Sequence, residues 1–287
     1  IDYPDFNWRL AARAKERGVP VFSYIPPSAW AWRKGRAKTA AALADEIVAI
    51  FPHELPPYEE AGAHISFVGN PLIDTVQAEM SPADARRHFG LIEGDVPILL
   101  LPGSRREEIE RLLPAMLAAA KILHAQDSAR RFFLPVAGSV PKERVQELIT
   151  SSGMPVTLTY DARYALMGIA RAAMATSGTV VMEAAIMGLP VVVLYRMSAL
   201  SYFIGRLLVD VPRFSLPNIL LGETFETELL QNEVQPERIA DEMERILADG
   251  AVRTYIIQRL ARAVELLGAP HAARRVAEKI IALAERR

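Results

Sequence analysis

The chain has 287 residues, 51% of them hydrophobic, and its 33 Lys and Arg against 34 Asp and Glu leave a formal net charge of -1. That length suffices for two ordinary domains around a sizeable core, and the balanced charge gives no pointer to nucleic acid. The lack of cysteine excludes disulfides and thiolate metal sites and suits a reducing cytosol, while the five histidines lack the i, i+4 spacing of a metal site.

The opening residues, Ile1-Asp2-Tyr3-Pro4-Asp5-Phe6, read as the exit of a strand, so we expect an N-terminal part of a longer protein to be missing. Asn7 to Arg17 predicts a helix with Leu10, Ala11 and Ala14 on one face and Gly18 as its stop. Val19 to Ile25 reads as a strand ended by Pro26-Pro27, Ala37 to Ala44 as a helix, and Glu46 to Phe51 as a strand. Tyr58 to Ala61 begins a helical turn and His64 to Val68 is a strand. Gly69-Asn70-Pro71-Leu72 is the best linker candidate, because Asn-Pro favours a turn and bars helix at Asn70.

Beyond it the pattern restarts. Strands are expected at Val96 to Leu101, Arg131 to Val136, Val156 to Thr159, Ala172 to Ala175 and Pro190 to Leu194. Helices are expected at Ile109 to Ala125, Lys142 to Thr150, Tyr164 to Ala170, Val180 to Met187, Pro236 to Asp249, Ala251 to Leu267 and Ala272 to Glu285. Strand and helix alternate at short intervals, the signature of parallel sheets with crossover helices. The second unit reads as a nearly complete doubly wound α/β domain, and the first is too short to be one.

Thr176 to Arg196 carries the strongest functional signal. A Ser-Gly-Thr turn precedes an apolar helix bearing Glu183, then a Gly-Leu-Pro stop and a buried strand. Glu183, Gly188 and Pro190 interrupt the apolar run too often for a membrane span. The turn offers unpaired N–H groups and a positive dipole end to a phosphate, and Glu183 lies one to two turns on, in reach of a sugar hydroxyl. The pairing suggests nucleotide recognition; the alternative is a plain buried helix with a surface Glu.

A second strand end, Leu101-Pro102-Gly103-Ser104-Arg105, opens an acidic first helical turn. Gly103 permits close backbone approach, Ser104 can cap or bind phosphate, and Arg105 can fork onto phosphate oxygens. The alternative is a cap turn whose arginines pair with Glu107 to Glu110. Asp2 and Asp5 flank Pro4, where a carboxylate could act as a general base, or Asp5 could simply cap the helix. Trp30-Ala31-Trp32-Arg33-Lys34-Gly35-Arg36 mixes large aromatics with cations. That mixture fits an anionic membrane interface, an acceptor-phosphate site, or a solvated helix start with its tryptophans in the core. The motifs G-x-x-x-x-G-K-[ST], G-x-G-x-x-G and G-x-S-x-G are all absent, which weakens P-loop, dinucleotide and hydrolase readings.

I-D-Y-P-D-F-N at the start, S-A-W-A-W-R-K-G-R from Ser28, V-G-N-P-L-I-D from Val68, L-L-P-G-S-R-R-E-E-I from Leu100, S-G-T-x-x-x-E-A-A from Ser177 and F-S-L-P-N from Phe214 run in order along the chain. Together they resemble the lipid-A-disaccharide synthase family of lipopolysaccharide biosynthesis. The resemblance implies an α/β fold of the GT-B type, two doubly wound parallel-sheet domains, the N-terminal one incomplete here. Residues 1–70 would be the remnant of an acceptor domain, 71–268 the UDP-sugar donor domain, and 269–287 a helix packing back toward the first.

It further implies an inverting glycosyltransferase, without metal or cofactor, that moves 2,3-diacylglucosamine from UDP to the 6-hydroxyl of 2,3-diacylglucosamine 1-phosphate. Asp2 matches the family's essential aspartate, the proposed base. Gly103, Ser104 and Arg105, with Ser177, Gly178 and Thr179, would hold the diphosphate, and Glu183 would accept the ribose hydroxyls. Tyr195, Arg196, Ser215 and Asn218 fall in family segments near the donor. Trp30, Trp32, Arg33, Lys34 and Arg36 would face membrane or acceptor. Met197 to Leu208, with Tyr202 and Phe203, would touch acyl chains or a partner subunit, with core packing the alternative. The implied setting is cytoplasmic, peripheral on the cytoplasmic face of the inner membrane, with a possible homodimer and no nucleic-acid partner.

The family's Gly-rich loop of the G-E-x-S-G-D kind and its first strands are missing, so we expect impaired acceptor binding, an unpaired sheet edge and exposed apolar faces. Competing readings are another UDP-sugar enzyme of the 2-epimerase kind and an inert UDP-binding fragment.

Overall fold

The computed structural model describes residues 3–30, 35–136, 138, 140, 142–198 and 212–285. These divide into two compact units, one built from residues up to 75 and from 265 onward, the other from 76 to 264.

In the first unit a parallel sheet of order β1-β2-β3 joins β1 (Phe22–Tyr24), β2 (Glu46–Ala49) and β3 (Ile65–Phe67). All four residues of β2 are buried, and their alternation decides what each touches. Ile47 packs with Ala37 and Ala40 of α2 (Gly35–Leu43) and Tyr58 of α3 (Leu55–Glu60). Val48 points the other way, onto Val276 of the last helix (Ala272–Glu285). Glu46 shares that face and meets Lys279 Nζ at 2.8 Å, one helical turn from Val276. A helix α1 (Pro4–Glu16) precedes this sheet in sequence.

Gly69-Asn70-Pro71-Leu72 is a built corner and not a loose linker. Asn70 is fully buried, its Nδ2 donates to Ile50 O at 3.0 Å, and its Oδ1 accepts from Leu72 N at 2.9 Å. Its own N–H donates to Leu267 O at 2.8 Å. Gly69 sits at φ 95°, and a Cβ there would lie 2.9 Å from Ala269 O. A short helix α4 (Leu72–Thr75) follows. Its Asp74 accepts from the N–H groups of His271 (2.7 Å) and Ala272 (3.2 Å), capping the last helix. The chain divides after Thr75, five residues beyond the expected break.

The second unit is a six-stranded parallel sheet of order β6-β5-β4-β7-β8-β9: β4 (Val96–Leu101), β5 (Arg130–Pro135), β6 (Val156–Thr159), β7 (Ala172–Thr176), β8 (Val191–Tyr195) and β9 (Glu228–Leu230). Its strands read as unbroken apolar runs because both faces are covered. Leu99, Leu101, Phe133, Ala173, Ala175, Val191 and Val193 face α8 (Arg163–Ile169) and α9 (Thr179–Ile186). The opposite face is covered by α6 (Arg106–Gln126) and α11 (Pro236–Leu247), which also pack on each other. The outer elements are α7 (Lys142–Ser152) and α12 (Ala251–Glu265).

Besides α4, three of the elements described went unread in the sequence. Helix α5 (Pro82–His88) starts at Ser81, whose Oγ accepts from Asp84 N at 3.2 Å. Helix α10 (Leu216–Leu221) and strand β9 are too short to show a period. Replacing Asn70 with Ala should lower stability by about 2 kcal/mol, because Ile50 O and Leu72 N lose their buried partner. Urea unfolding beside the exposed-site control Asn232→Ala, expected within about 0.5 kcal/mol of the parent, measures this.

Candidate functional site

From β4 the chain runs outward through β5 to β6, then returns to the other side of β4 as β7 and continues to β8 and β9. The connections leaving β4 and β7 therefore diverge, α6 to one face and α9 to the other. Divergence at adjacent parallel strands opens a crevice at their carboxyl ends. A cleft of about 510 Å³ lies there. Its walls are the two turns at Leu101–Arg105 and Thr176–Val180, the Thr159–Arg163 loop, and the side chains of Glu79, Glu108 and Glu183. Gly103, Ser104, Arg105, Ser177, Gly178, Thr179 and Glu183, singled out from two distant stretches of sequence, are thus brought into one cleft.

At the β4 turn Gly103 has φ 111°, and a Cβ would fall 2.2 Å from Glu108 Oε2. That carboxylate accepts from Ser104 N (3.2 Å) and Arg105 N (3.3 Å), while its Oε1 meets Arg105 Nη1 at 2.9 Å. Arg106 pairs with Glu110 and Arg111 with Glu107. The turn is therefore the cap arrangement weighed against the phosphate reading, and its N–H groups already hold an anion. The Arg105 side chain is 83% exposed at the rim of the cleft.

The β7 turn is arranged differently. Gly178 is extended, with φ 161°, and supplies no side-chain cap to α9. Ser177 N donates to Leu194 O at 3.0 Å and its Oγ to Phe214 O at 2.7 Å, so this hydroxyl secures a neighbouring loop. Glu183, on the second turn of α9, accepts from Arg163 Nη2 at 3.2 Å through Oε1. Its Oε2 is buried without a partner. Burial pushes the carboxyl above its usual range, and the Arg163 guanidinium opposes that rise. Thr159 Oγ1 and Thr176 Oγ1, also buried and unpartnered, belong to the same walls. Each of these buried oxygens lacks a hydrogen-bond partner within the chain.

Tyr195, Arg196, Ser215 and Asn218 are outside this lining. Arg196 donates to the carbonyls of Gln231 and Val234, the latter at 2.8 Å. Asn218 is fully buried. Its Nδ2 donates to Glu226 O (2.9 Å) and Glu228 Oε1 (2.7 Å), and its Oδ1 accepts from Phe225 N and Glu226 N. Every hydrogen-bonding position of that amide is filled internally. Glu228 also accepts from Phe214 N (2.9 Å) and Ser215 N (3.0 Å), and Ser215 Oγ donates to Glu226 Oε2. This polar knot seats Phe214, which packs on the Tyr195 ring at 5.9 Å and is tied to the cleft by Ser177. Glu226 and Glu228, which hold Ser215 and Asn218, escaped the sequence reading.

In the first unit Trp30 meets the His53 ring edge-on at 4.8 Å. Burial pushes His53 down to about 4 and the Glu54 carboxyl up to about 7, although the N–H groups of Phe51 and Ile50 oppose the latter. Neither was singled out in the sequence. Arg36 lies in the first turn of α2, its charge acting on the Tyr58 hydroxyl. Asp2, Trp32, Arg33, Lys34 and positions 199–208 of the Met197 to Leu208 stretch lie outside the described residues. Among the described residues no acidic, His or Cys cluster could hold a metal, and no helix is long and apolar enough to cross a membrane.

Full burial pushes Glu226 up to about 8, from an ordinary 4.5. The folded chain thus holds a proton that the unfolded chain releases between those two values. The resulting stability is complete below pH 4.5 and lost as pH rises through about 8. Glu226→Gln should flatten the fall in stability between about pH 5 and about pH 8, a slope of up to about 1.4 kcal/mol per pH unit. Urea midpoints at the two pH values test it, and parallel curves for parent and variant would refute it.

Comparison with known proteins completes the picture. The family model described as lipid-A-disaccharide synthetase matches residues 1–281. The chain is 45% identical over 284 residues to a lipid-A-disaccharide synthase of Syntrophus aciditrophicus, covering 99% of this chain and 74% of the relative. It is 42% identical over 277 residues to that of Geobacter sulfurreducens, covering 96% and 72%. Among solved structures it resembles the UDP-GlcNAc 2-epimerase of Neisseria meningitidis (TM-score 0.65, 14% identity, 96% of this chain and 73% of that one). It also resembles the calicheamicin glycosyltransferase CalG4 (TM-score 0.53, 20% identity, 85% and 53%). At such identities these two speak for the fold alone, and the fold is of the GT-B type. The sequence match, running from the first residue almost to the last, makes this chain a member of the lipid-A-disaccharide synthase family of glycosyltransferases.

Proposed function

We propose that the cleft of the second unit holds the UDP moiety of the sugar donor. The family's reaction transfers 2,3-diacylglucosamine from UDP to the 6-hydroxyl of 2,3-diacylglucosamine 1-phosphate with inversion. The observation that carries the placement is that the β4 turn, the β7 turn and Glu183, whose Oε2 is buried without a partner, line one cleft. In this reading Glu183 accepts the ribose hydroxyls. The diphosphate lies on the Ser177-Gly178-Thr179 turn, where the first N–H groups of α9 point out of the helix. Arg105 reaches it from the rim, since Glu108 already occupies the N–H groups of Ser104 and Arg105.

As the bond to the anomeric carbon breaks, negative charge grows on the departing UDP, and a helix N-terminus with a guanidinium stabilises it. Asp2 takes the proton of the acceptor 6-hydroxyl, whose oxygen attacks the opposite face of the anomeric carbon. The roles of Asp2 and of the Trp30 to Arg36 segment rest on the family resemblance. Aromatic and basic residues together, with two acylated substrates, support attachment to the cytoplasmic face of the inner membrane. The bulky Met197 to Leu208 stretch is the segment we assign to acyl chains or to a second copy of the chain.

UDP should raise the melting temperature where ADP does not, the gain reaching roughly 2.7 kcal/mol at a hundredfold excess over Kd. Equal shifts with both nucleotides would remove uridine recognition from this cleft. Glu183→Ala should weaken UDP binding about tenfold by titration calorimetry, the loss expected of a hydrogen bond to a charged group. Unchanged affinity would displace the ribose from Glu183.

A further inference from the structure

We propose that Arg163 is a positioning residue for donor binding: it holds one oxygen of Glu183 and leaves the other, unpartnered within the chain, for the ribose diol. The inference rests on the placement of UDP given above. Arg163 is the first residue of α8, and its backbone position is set from two sides. Ala162 before it turns the chain through a left-handed conformation, φ 46°. Glu79, far back in the sequence, accepts from Ala165 N at 2.7 Å and Tyr164 N at 3.4 Å, anchoring the start of the helix. The guanidinium lies over the Tyr164 ring, 4.6 Å from its centroid, and donates to Glu183 Oε1 at 3.2 Å.

A vicinal diol presents two O–H donors, and a carboxylate offers about four lone-pair positions on two oxygens. With Oε1 held by Arg163 and Oε2 unpartnered, the carboxylate is oriented before the ligand arrives and keeps acceptor capacity. The same cation opposes the burial that raises the Glu183 pKa. An ionised carboxylate accepts both hydroxyls, whereas the protonated form gives up acceptor capacity. The other titratable groups in the walls are Glu79, Arg105, Glu108, Tyr160 and Asp161. Helix α10, which also packs on α9, carries none; β7 carries none, and β8 only Tyr195. Arg163 is the cation in hydrogen-bond contact with Glu183.

The test measures UDP and uridine affinities of the parent, Arg163→Met, Arg163→Lys and Glu183→Gln, each at about pH 7 and about pH 9, with unliganded melting as a check on folding. Uridine carries the diol without phosphate. Arg163→Met should weaken UDP and uridine by the same factor, about tenfold at the lower pH. The loss should shrink at the higher pH as Glu183 ionises without its partner, and Arg163→Lys should recover part of it. A loss confined to UDP would make Arg163 a diphosphate contact and overturn the inference; so would a loss equal at both pH values, or none. If Glu183→Gln leaves both affinities unchanged, the placement of the ribose fails, and the role of Arg163 with it. If Glu183→Gln weakens both ligands while Arg163→Met weakens neither, only the inference about Arg163 fails.

Discussion

The second unit depends on the parallel pairing of β4 with β7. Ile98 to Leu101 lies in register with Ala172 to Ala175, so the two strands end side by side. Their chains then depart to opposite faces of the sheet, and no crossover closes the space above them. The functional turns inherit their positions from that one pairing. Gly103 and Gly178 answer different demands in it: the first needs a positive φ beside the Glu108 carboxylate, and the second an extended entry into α9. Small alanines on β7, Ala173 and Ala175, let α8 and α9 settle against this face and bring Arg163 and Glu183 together.

Buried carboxylates do much of the remaining organisation, and their surroundings separate their roles. Glu46 meets Lys279 and Ser66, and these partners, with His64, hold it below its ordinary range against the cost of burial. Glu228 collects three N–H donors and so fixes the loop before α10. Glu226 keeps one oxygen unpartnered in full burial, the condition that drives a carboxyl neutral. Glu183 also has an unpartnered oxygen, yet it lines a cleft and faces a cation. The same side chain thus serves as tie, bracket or part of a cleft wall according to what surrounds it.

Much of the architecture was legible because parallel strands covered on both faces leave unbroken apolar runs, such as Ile98 to Leu101 and Val191 to Leu194. The two cleft turns were legible too, since Gly, Ser and Thr directly after such a run mark the carboxyl end of a strand. What stayed hidden depends on partners distant in the chain. Asn218 and Ser215 fall in a motif of the sequence, but their contacts with Glu226 and Glu228 appear only in the fold. The corner at Asn70 looked like a linker because its partners, Ile50 and Leu267, lie far off in sequence. Strand β9 is a three-residue strand with a single fully buried side chain, too little for a period to register.

By itself, then, the sequence determined the α/β alternation, the glycines and prolines that punctuate it, the cleft-lining turns, and an ordered series of motifs sufficient for the family. These follow from local rules, namely periodicity and backbone freedom, and need no neighbour to act. Tertiary structure alone decided which carboxylates burial pushes above their ordinary range, which arginine addresses which glutamate, and that Glu108 takes the N–H groups of the β4 turn. Those outcomes turn on distances of about 3 Å between residues far apart in the chain, and both desolvation and hydrogen bonding are settled at that range.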